Sequence, residues 1–506
     1  MEILEPLLGL TAVGIFLIYR YILYPAWLSP LAKLPSPHRL CSLFNWVEHQ
    51  RANSRELKAL HAAHERLGPM IRVGPNEVSV VSQDVLRKVY SAGLDKHTWY
   101  KKTFYNYGQP NLVCILDHKT HSNQKRMLAK LYSKSYLQRS ENMANLSEHI
   151  ISQRLCPMLQ RFAEISSDVD VVQLFEWTSI DFITAYLFGT ACGTDFLHNN
   201  EGGERYFRNW SKRQASSCTY AEEVCMRMCK AAPTSESEGK RSNEAEPVVF
   251  SAMYKAAAAE AAMLQDAHTD VLKRCASEML DHMIATQETN TITLTYILYR
   301  LSLDPDLQAR LRKEIFTTEP SVRLASDPKG SLPPAAAIDK LQLLNAVIYE
   351  TLRLHAANPA RMPRVVPASG VEIHGYYLPP GTTVSTNAYC LHRNSQAFPR
   401  PLEWLPQRWL PRDHDRKDGL ETTEASRAEA LRWFWAFGSG PRMCIGTNFA
   451  MQVIKLAVAA IYSQYTTSIV DDTGIEQSDS YNSGPASHQL ILRFHAVYES
   501  RDAHGT

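Results

Sequence analysis

The chain contains 506 residues, 45% of them hydrophobic, and its 54 basic residues nearly balance its 52 acidic ones. A chain of this size can bury a large core, and without a long basic run it is not built for nucleic acid. Its 10 cysteines follow no short repeating spacing, which argues against a disulfide framework or zinc finger and suits a reducing compartment. We expect one large helical domain with a small sheet region.

The N-terminal segment resembles a membrane anchor. Residues 7–24 are apolar apart from Thr11 and Arg20, and they are about long enough to span a bilayer. The acidic start of the chain argues against a cleaved signal peptide. Because Lys33 and Arg39 follow the span, the positive-inside rule places the rest of the chain in the cytosol. A buried core helix is the alternative.

We divide the chain into a membrane anchor at residues 1–27, a proline-containing linker at 28–40 and a folded domain at 41–506. Apolar periodicity and turn residues predict the elements of that domain in chain order. They are a helix at 56–66, a β-hairpin at 70–81, an aromatic-rich loop at 95–117, helices at 118–136, 142–163, 174–188 and 202–230, a polar surface loop at 233–247, and strands at 371–377 and 382–387.

A long helix is predicted from Asp270 to Leu303, because apolar residues recur on all its sides as in a buried central helix. Glu288 and Thr289 place an acid beside a hydroxyl within it. A buried carboxyl group is costly without partners, so its presence suggests proton handling. Taken alone, this pair is more typical of an ordinary helix surface.

A further helix at 341–355 contains Glu350 and Arg353, whose spacing puts them on one helix face. A buried ion pair needs another partner to satisfy both groups, and Arg408 is the candidate. Such a pair alone is a common surface salt bridge.

The stretch from Phe437 to Gly446 reads Phe-Gly-Ser-Gly-Pro-Arg-Met-Cys-Ile-Gly. Its glycines, Gly440 among them, permit a tight loop that points backbone N–H groups at the sulfur of Cys444. An apolar helix predicted from Ile445 to Tyr462 would lower the pKa of the Cys444 thiol through its dipole. Most single cysteines are simply small buried hydrophobes, but a chance match to five fixed positions is rare.

The spacing F-x-x-G-x-R-x-C-x-G resembles the haem-binding loop of the cytochrome P450 family. The resemblance covers nearly the whole chain and implies that family's fold, mainly α with small β-sheets, preceded by a single N-terminal transmembrane helix. It implies that Cys444 is the proximal iron ligand of heme b, bound as a thiolate. Phe437, Gly440, Arg442 and Gly446 would complete the cofactor loop, with Arg442 directed at a haem propionate.

Ala285-Thr286-Gln287-Glu288-Thr289 resembles the family's oxygen-activation motif, with Thr286 in place of the usual glycine. The resemblance therefore implies that Glu288 and Thr289 are catalytic residues that manage protons.

Arg364 matches a family position that contacts a haem propionate, while His121 and Lys125 stand where relatives usually carry Trp and Arg for that purpose. The resemblance also implies a structural triad behind the haem, formed by Glu350, Arg353 and Arg408.

By this resemblance, the protein inserts one atom of O2 into a small apolar substrate and reduces the other to water. The chain contains no flavin or nicotinamide fingerprint, so electrons would come from NADPH through NADPH–cytochrome P450 reductase. The microsomal type implies single-pass attachment to the endoplasmic reticulum membrane, with the catalytic domain in the cytosol.

The N-terminal third is most similar in style to filamentous-fungal members, many of which oxidise terpenoid, polyketide or alkaloid intermediates of secondary metabolism. A haem-thiolate isomerase or dehydratase, a xenobiotic or fatty-acid hydroxylase, and a non-catalytic haem protein are the alternatives.

Overall fold

The computed structural model describes residues 4–211, 219–233, 247–263, 270–318, 332–411 and 423–497. The α-helices of the N-terminal part are α1 Leu4–Ile18, α2 Trp46–Ala52, α3 Glu56–Leu67, α4 Gln83–Val85, α5 Trp99–Phe104, α6 His118–Ala129, α7 Lys134–Arg139, α8 Glu141–Ser147, α9 Cys156–Glu164 and α10 Val171–Phe188. They continue as α11 Asn200–Ser211, α12 Thr219–Ala231, α13 Val248–Met263, α14 Val271–Ser302, α15 Pro305–Ile315, α16 Ala335–Ile338, α17 Gln342–Leu354, α18 Ala388–Leu391, α19 Glu424–Trp433 and α20 Thr447–Gln464. π-Helical segments lie at Tyr19–Leu28, Leu86–Ser91 and Glu148–Leu155, and 3-10 turns at Pro30–Lys33, Pro406–Trp409 and Gly440–Arg442.

The strands are short: β1 Met70–Gly74, β2 Glu77–Val80, β3 Asp168–Asp170, β4 Arg364–Val365, β5 Val371–Ile373, β6 Tyr376–Leu378, β7 Thr383–Ser385, β8 Tyr465–Asp471 and β9 Ile491–Ala496. They form sheets of order β1-β2-β7-β4, β3-β9-β8 and β5-β6. In the first sheet Met70 pairs with Val80 across an antiparallel hairpin, and Glu77 pairs with Thr383 of a parallel neighbour. This sheet therefore joins the start of the folded domain to the segment that precedes the cysteine loop.

The helical core is organised around α14, which is 32 residues long. Its first turn is capped by Asp270, whose carboxylate accepts a hydrogen bond from the Lys273 N–H at 3.0 Å. The helix packs against α10, α12, α13, α17 and α20. A second apolar cluster surrounds the first sheet. The cysteine loop lies where the two cores meet, because Trp435 belongs to the sheet cluster and Phe437 packs against the helical one.

The N-terminal helix projects from the body, since a 20-residue apolar span at Gly9–Leu28 is only 6% buried. Its end is nevertheless tied to the first sheet. Pro25 is buried, and Arg72 of β1 donates a hydrogen bond to its carbonyl oxygen at 2.7 Å. Leu31 and Leu34 of the predicted linker are buried in the sheet cluster. The segment after the span therefore packs on the domain.

The mainly helical fold with small sheets is confirmed, and so are several individual elements. The helix predicted at 56–66 is α3, the hairpin at 70–81 is β1 and β2, and the central helix is α14. The helix predicted at 341–355 is α17, and that predicted at 174–188 is α10, which ends at Gly189 with φ of 83°. These elements share strong periodicity and clear stop residues.

The predicted helix at 118–136 is too long, because α6 ends at Ala129. Ser133 then caps a new helix by accepting a hydrogen bond from the Tyr136 N–H at 3.4 Å. The predicted single strand at 371–377 is wrong in the same way. It is a hairpin that turns at His374 and Gly375, with φ of 51° and 75°.

Three other boundaries also differ. The aromatic loop at 95–117 contains the short helix α5, and the helix after Cys444 begins at Thr447 rather than Ile445. The pattern at 202–230 corresponds to α11 and α12, whose connection lies outside the described residues, as does most of the polar loop predicted at 233–247.

Candidate active site

The loop around Cys444 is closed by its own backbone. The Cys444 N–H donates to the carbonyl oxygen of Phe437 at 2.9 Å, and the Met443 N–H donates to that of Gly440 at 3.0 Å. Gly440 has a φ of 72°, and a Cβ placed there would collide with the Tyr90 carbonyl. Glycine is therefore required at this position on two separate grounds. A Cβ on Gly446 would lie 3.8 Å from the Cys444 sulfur.

The side chain of Cys444 is exposed, but the space that it faces is surrounded by protein. Burial raises the pKa of the thiol, against the lowering effects of the Gly446 N–H, the Thr447 hydroxyl and the charge of Lys125. The sequence predicted a lowered pKa. That prediction is wrong for the protein alone, because α20 starts three residues beyond Cys444 and desolvation dominates.

A set of cationic side chains lies near the loop. Arg442 donates to the carbonyl oxygens of Ile115 at 3.0 Å and Leu116 at 2.5 Å, and Arg364 donates to the Tyr100 hydroxyl at 3.0 Å. Both arginines have a buried Nε atom without a hydrogen-bond partner among the described residues. The buried Nδ1 atom of His121 also lacks a partner there.

The positive charges of these groups also repel one another. Burial and then the charge of Arg364 lower the pKa of Arg442 to about 10. Burial, followed by the charges of Lys96, Arg442 and Lys125, lowers the pKa of His121 to about 3. Unpartnered buried donors under mutual repulsion fit a ligand that carries carboxylates, such as the two propionates of haem.

Lys125 ties α6 to the loop, because its ammonium donates to the carbonyl oxygens of Pro441 at 2.9 Å and Met443 at 2.8 Å. The sequence analysis missed Lys96, which is buried and donates to the Leu112 and Val113 carbonyl oxygens at 3.3 and 2.6 Å. Burial, with repulsion from Arg364 and Arg442, lowers its pKa well below the usual range. Nothing in the sequence near Lys96 distinguishes it from a surface lysine.

Glu288 and Thr289 lie half-buried on α14, and their side chains have different partners. The Thr289 hydroxyl donates to the carbonyl oxygen of Ala285 at 2.7 Å. The Glu288 carboxylate accepts a hydrogen bond from the amide of Asn482. The structure therefore places both groups on the helix as the motif requires but does not join them to each other.

Glu350, Arg353 and Arg408 meet in one buried network. Glu350 accepts from Arg353 at 2.8 and 2.9 Å and from Arg408 at 3.0 and 3.1 Å. Arg353 also donates to three backbone carbonyl oxygens, those of His392, Pro401 and Glu403. The remaining acceptor capacity of Glu350 is used by Leu405 N–H at 2.8 Å and Trp409 Nε1 at 2.9 Å.

His392 connects this network to the cysteine loop. Its Nδ1 lies 2.9 Å from the carbonyl oxygen of Arg353, and its Nε2 accepts from the Trp435 N–H at 2.7 Å. Because Nε2 must accept, the ring is neutral with its proton on Nδ1.

A second buried network was not predicted from the sequence. Arg361 binds three carboxylates, those of Glu48 at 2.9 Å, Glu56 at 2.6 Å and Glu77. These partners come from α2, α3 and β2, some three hundred residues away along the chain, so spacing carried no signal.

Residues 34–489 match the family model described as Cytochrome P450. The chain belongs to the cytochrome P450 family. Its relatives include Cytochrome P450 monooxygenase avaI of Aspergillus versicolor, 31% identical over 405 residues that cover 77% of this chain and 93% of the relative.

Cytochrome P450 monooxygenase gsfF of Penicillium aethiopicum is 26% identical, covering 92% of this chain and 93% of the relative. Fusicoccadiene C-8 hydroxylase of Alternaria brassicicola is 24% identical, covering 90% and 89%. The family and these names make the protein a cytochrome P450 monooxygenase with relatives in fungal secondary metabolism, a haem-iron oxidoreductase that uses O2 and a redox partner.

Proposed function

We propose that Cys444 holds the iron of heme b as a thiolate and that the enzyme oxidises an apolar small molecule of fungal secondary metabolism. The observation that carries this proposal is the position of Cys444. It lies at the end of a loop that Gly440 closes, protein surrounds the space that it faces, and it is near buried donors without a hydrogen-bond partner in the described part of the chain. When bound, a thiolate-ligated haem supplies the activation of O2.

The residues of the chain would divide the remaining work. Arg364, Arg442 and His121 would bind the propionates through their unpartnered nitrogens. Lys125 would hold the loop in place through the Pro441 and Met443 carbonyl oxygens. Phe437, Gly440 and Gly446 would shape the loop around the sulfur.

Thr289 and Glu288 would hold and move protons on α14, away from the cysteine loop. The Thr289 hydroxyl donates within its own helix, so its lone pairs stay available to accept a hydrogen bond. The Glu288 carboxylate, held by Asn482, would connect that hydroxyl to a proton supply. Glu350, Arg353 and Arg408 would support the loop from behind as a structural triad.

The proposal also covers electron supply and location. NADPH–cytochrome P450 reductase would supply the electrons. The exposed apolar span supports a single-pass anchor at residues 1–27 in the endoplasmic reticulum membrane, followed by the linker 28–40 and a cytosolic catalytic domain at 41–506.

The test combines a spectrum with turnover. The reduced, carbon-monoxide-bound protein should show the absorption typical of thiolate ligation, and Cys444→Ala should abolish it. Cys192→Ala, at a half-buried cysteine, is the matched control and should retain it. Retention of the thiolate spectrum in Cys444→Ala contradicts the ligand assignment.

The enzyme is then incubated with metabolite extracts from the organism that carries its gene. Mass spectrometry of the products separates the reaction classes. A monooxygenase should form a product heavier by one oxygen only when NADPH and the reductase are both present. An isomerase or dehydratase would act without them, and that result would overturn the proposed reaction.

A further inference from the structure

The middle of α14 is open along one face. The helix is buried from Cys275 to Leu280 and again from Asn290 to Leu298. Between these parts, six side chains remain half-buried or exposed. One is Thr286, and the other five are Asp281, Ile284, Ala285, Glu288 and Thr289. Their spacing of i, i+3, i+4, i+7 and i+8 puts them on a single helix face. We call these five residues the open stripe. Asp281, its first residue, is half-exposed although protein surrounds it.

The first residue of the open stripe lies near Cys444, whose side chain is also exposed although protein surrounds it. The charge of Asp281 is close enough to raise the pKa of the Cys444 thiol and that of the Tyr481 hydroxyl. Tyr481 is itself half-buried, and its ring packs against Trp99 and Phe104 with centroids 5.4 and 5.5 Å apart. Asp281 therefore lies at the N-terminal end of the stripe, near both Cys444 and an aromatic cluster.

Asp281 differs from the other carboxylates of α14 in having no hydrogen-bond or ion-pair partner among the described residues. Glu278 accepts hydrogen bonds from the Leu112 N–H and the Gln124 amide, both at 2.9 Å, and Glu288 is held by Asn482. No hydrogen bond or ion pair joins the Asp281 carboxylate to any residue in the described part of the chain. The ammonium of nearby Lys96 uses two of its three N–H groups on backbone carbonyl oxygens.

The surroundings penalise a negative charge at this position. Burial and then the charge of Glu278 raise the pKa of Asp281 to about 7, while His282 and Lys96 oppose the rise. A carboxylate without partners in low-dielectric surroundings is costly unless a positive charge comes to it. Ile284 and Ala285 continue the stripe as an apolar surface. An acid followed by an apolar face and an aromatic cluster suits a molecule with a charged end and a hydrophobic body.

We infer that Asp281 binds a positively charged nitrogen of the substrate, a protonated amine or guanidinium, and orients the apolar remainder along the open stripe towards the iron. This inference rests on the proposed function, because it assumes that the space between α14 and Cys444 holds haem and substrate. It makes Asp281 a substrate-positioning residue and narrows the substrate class to lipophilic cations.

The experiment measures binding of two matched probes to the haem-loaded enzyme at pH 8. The cation 4-phenylbutyltrimethylammonium cannot ligate iron, and 5,5-dimethylhexylbenzene has the same shape with carbon in place of nitrogen. Dissociation constants come from calorimetry and from the optical shift of the haem. The wild-type enzyme should bind the cation at least tenfold more tightly than its neutral isostere.

Asp281→Asn keeps the shape and removes the charge, so it should abolish that preference while changing the affinity for the neutral isostere less than twofold. Asp281→Glu should retain the preference. Asp306→Asn, which neutralises an exposed acid on α15 away from the stripe, is the control and should also retain it. A preference for the cation that survives in Asp281→Asn overturns the inference. A wild-type enzyme that shows no such preference also overturns it, and this result does not depend on the folding of any variant.

The carbon monoxide spectrum of the same samples separates the two proposals. A thiolate spectrum without a preference for the cation refutes the role of Asp281 alone. A wild-type protein without the thiolate spectrum refutes the proposed function itself.

Discussion

Two clusters of buried charge in this protein are built in opposite ways. Around Glu350, the carboxylate accepts from both arginines, a backbone N–H and an indole, and Arg353 donates to three carbonyl oxygens besides. Around Cys444, both Arg364 and Arg442 keep a buried nitrogen without a partner in the described ranges. The first cluster is complete and the second is not. A complete cluster is part of the folded framework, whereas an incomplete one marks where a ligand of opposite charge belongs.

The largest effect should come from breaking the complete cluster. Arg353→Ala removes one of the two arginines that bind the buried Glu350 carboxylate and takes the donor from three carbonyl oxygens, so the free energy of unfolding should fall by about 3–5 kcal/mol. Chemical denaturation measures it. Arg432→Ala, which breaks an exposed pair with Glu429, is the control and should cost at most about 1 kcal/mol. A loss below that value for Arg353→Ala would remove the distinction between the two clusters.

The incomplete cluster should respond with ligand affinity rather than stability. Arg442→Met removes charge-assisted hydrogen bonds worth about 1.5–3 kcal/mol, so haem affinity should fall about ten- to hundredfold. The unfolding free energy of the haem-free protein should fall less than in Arg353→Ala, because a repulsive charge is also removed. Haem transfer to apomyoglobin measures the affinity. Unchanged haem retention would show that Arg442 serves only its protein partners, the carbonyl oxygens of Ile115 and Leu116 and the carboxylate of Asp95.

Acid should weaken the complete cluster through His392. Burial and then the charge of Arg353 lower its pKa to about 3 in the folded protein, against about 6.5 when unfolded. Since the unfolded chain takes up the proton first, the stability from the neutral ring is complete above about pH 6.5 and is lost as the pH falls towards 3. Between pH 7 and 5 this amounts to about 2 kcal/mol. His392→Gln should flatten the profile of unfolding free energy by that amount, and parallel profiles would contradict the assignment.

The smallest effect on stability should come from a substitution in the open stripe of α14. Thr289→Ala removes only a hydrogen bond to its own helix, so the unfolding free energy should change by about 0.5 kcal/mol or less and haem binding should be unaffected. The fraction of NADPH electrons that reach product should fall about tenfold, with hydrogen peroxide rising in its place. Assays of NADPH, product and peroxide together measure this coupling.

Thr293→Ala is the matched control for that variant. Thr293 makes the same bond, to the carbonyl oxygen of Thr289 at 2.8 Å, but its side chain is buried. Its loss should leave coupling unchanged. Because Thr286 supplies another hydroxyl nearby, the double variant at Thr286 and Thr289 should uncouple more completely. Wild-type coupling in both Thr289→Ala and the double variant would favour an isomerase.

The sequence predicted the parts of the site that one short segment contains. The spacing around Cys444 and the i, i+3 pair at Glu350 are local, so pattern alone could place them. Thr289 was predicted in the same way, whereas Asp281, which lies eight residues earlier on the same helix face, was not. The exposed face becomes visible only when the burial of the rest of α14 is known.

The parts that could not be predicted depend on contacts between distant segments. Arg361 binds acids from α2, α3 and β2, and Lys96 is buried by a loop that has no regular period. The split of the helix at Ala129 and the hairpin at Gly375 were missed for another reason. There, a capping serine and residues with positive φ outweigh the apolar pattern on which the prediction relied.

The bond between Arg72 and the Pro25 carbonyl bears on how the enzyme meets its lipid surroundings. A tether that swivels would let the domain tilt at random above the bilayer. Here the last turn of the anchor is bonded to strand β1, so under the proposed anchoring the tilt of the helix would set the tilt of the whole domain. The contact between anchor and sheet would then set the depth at which a lipid-dissolved molecule reaches the domain surface. Arg72→Ala would weaken that contact without changing the active site.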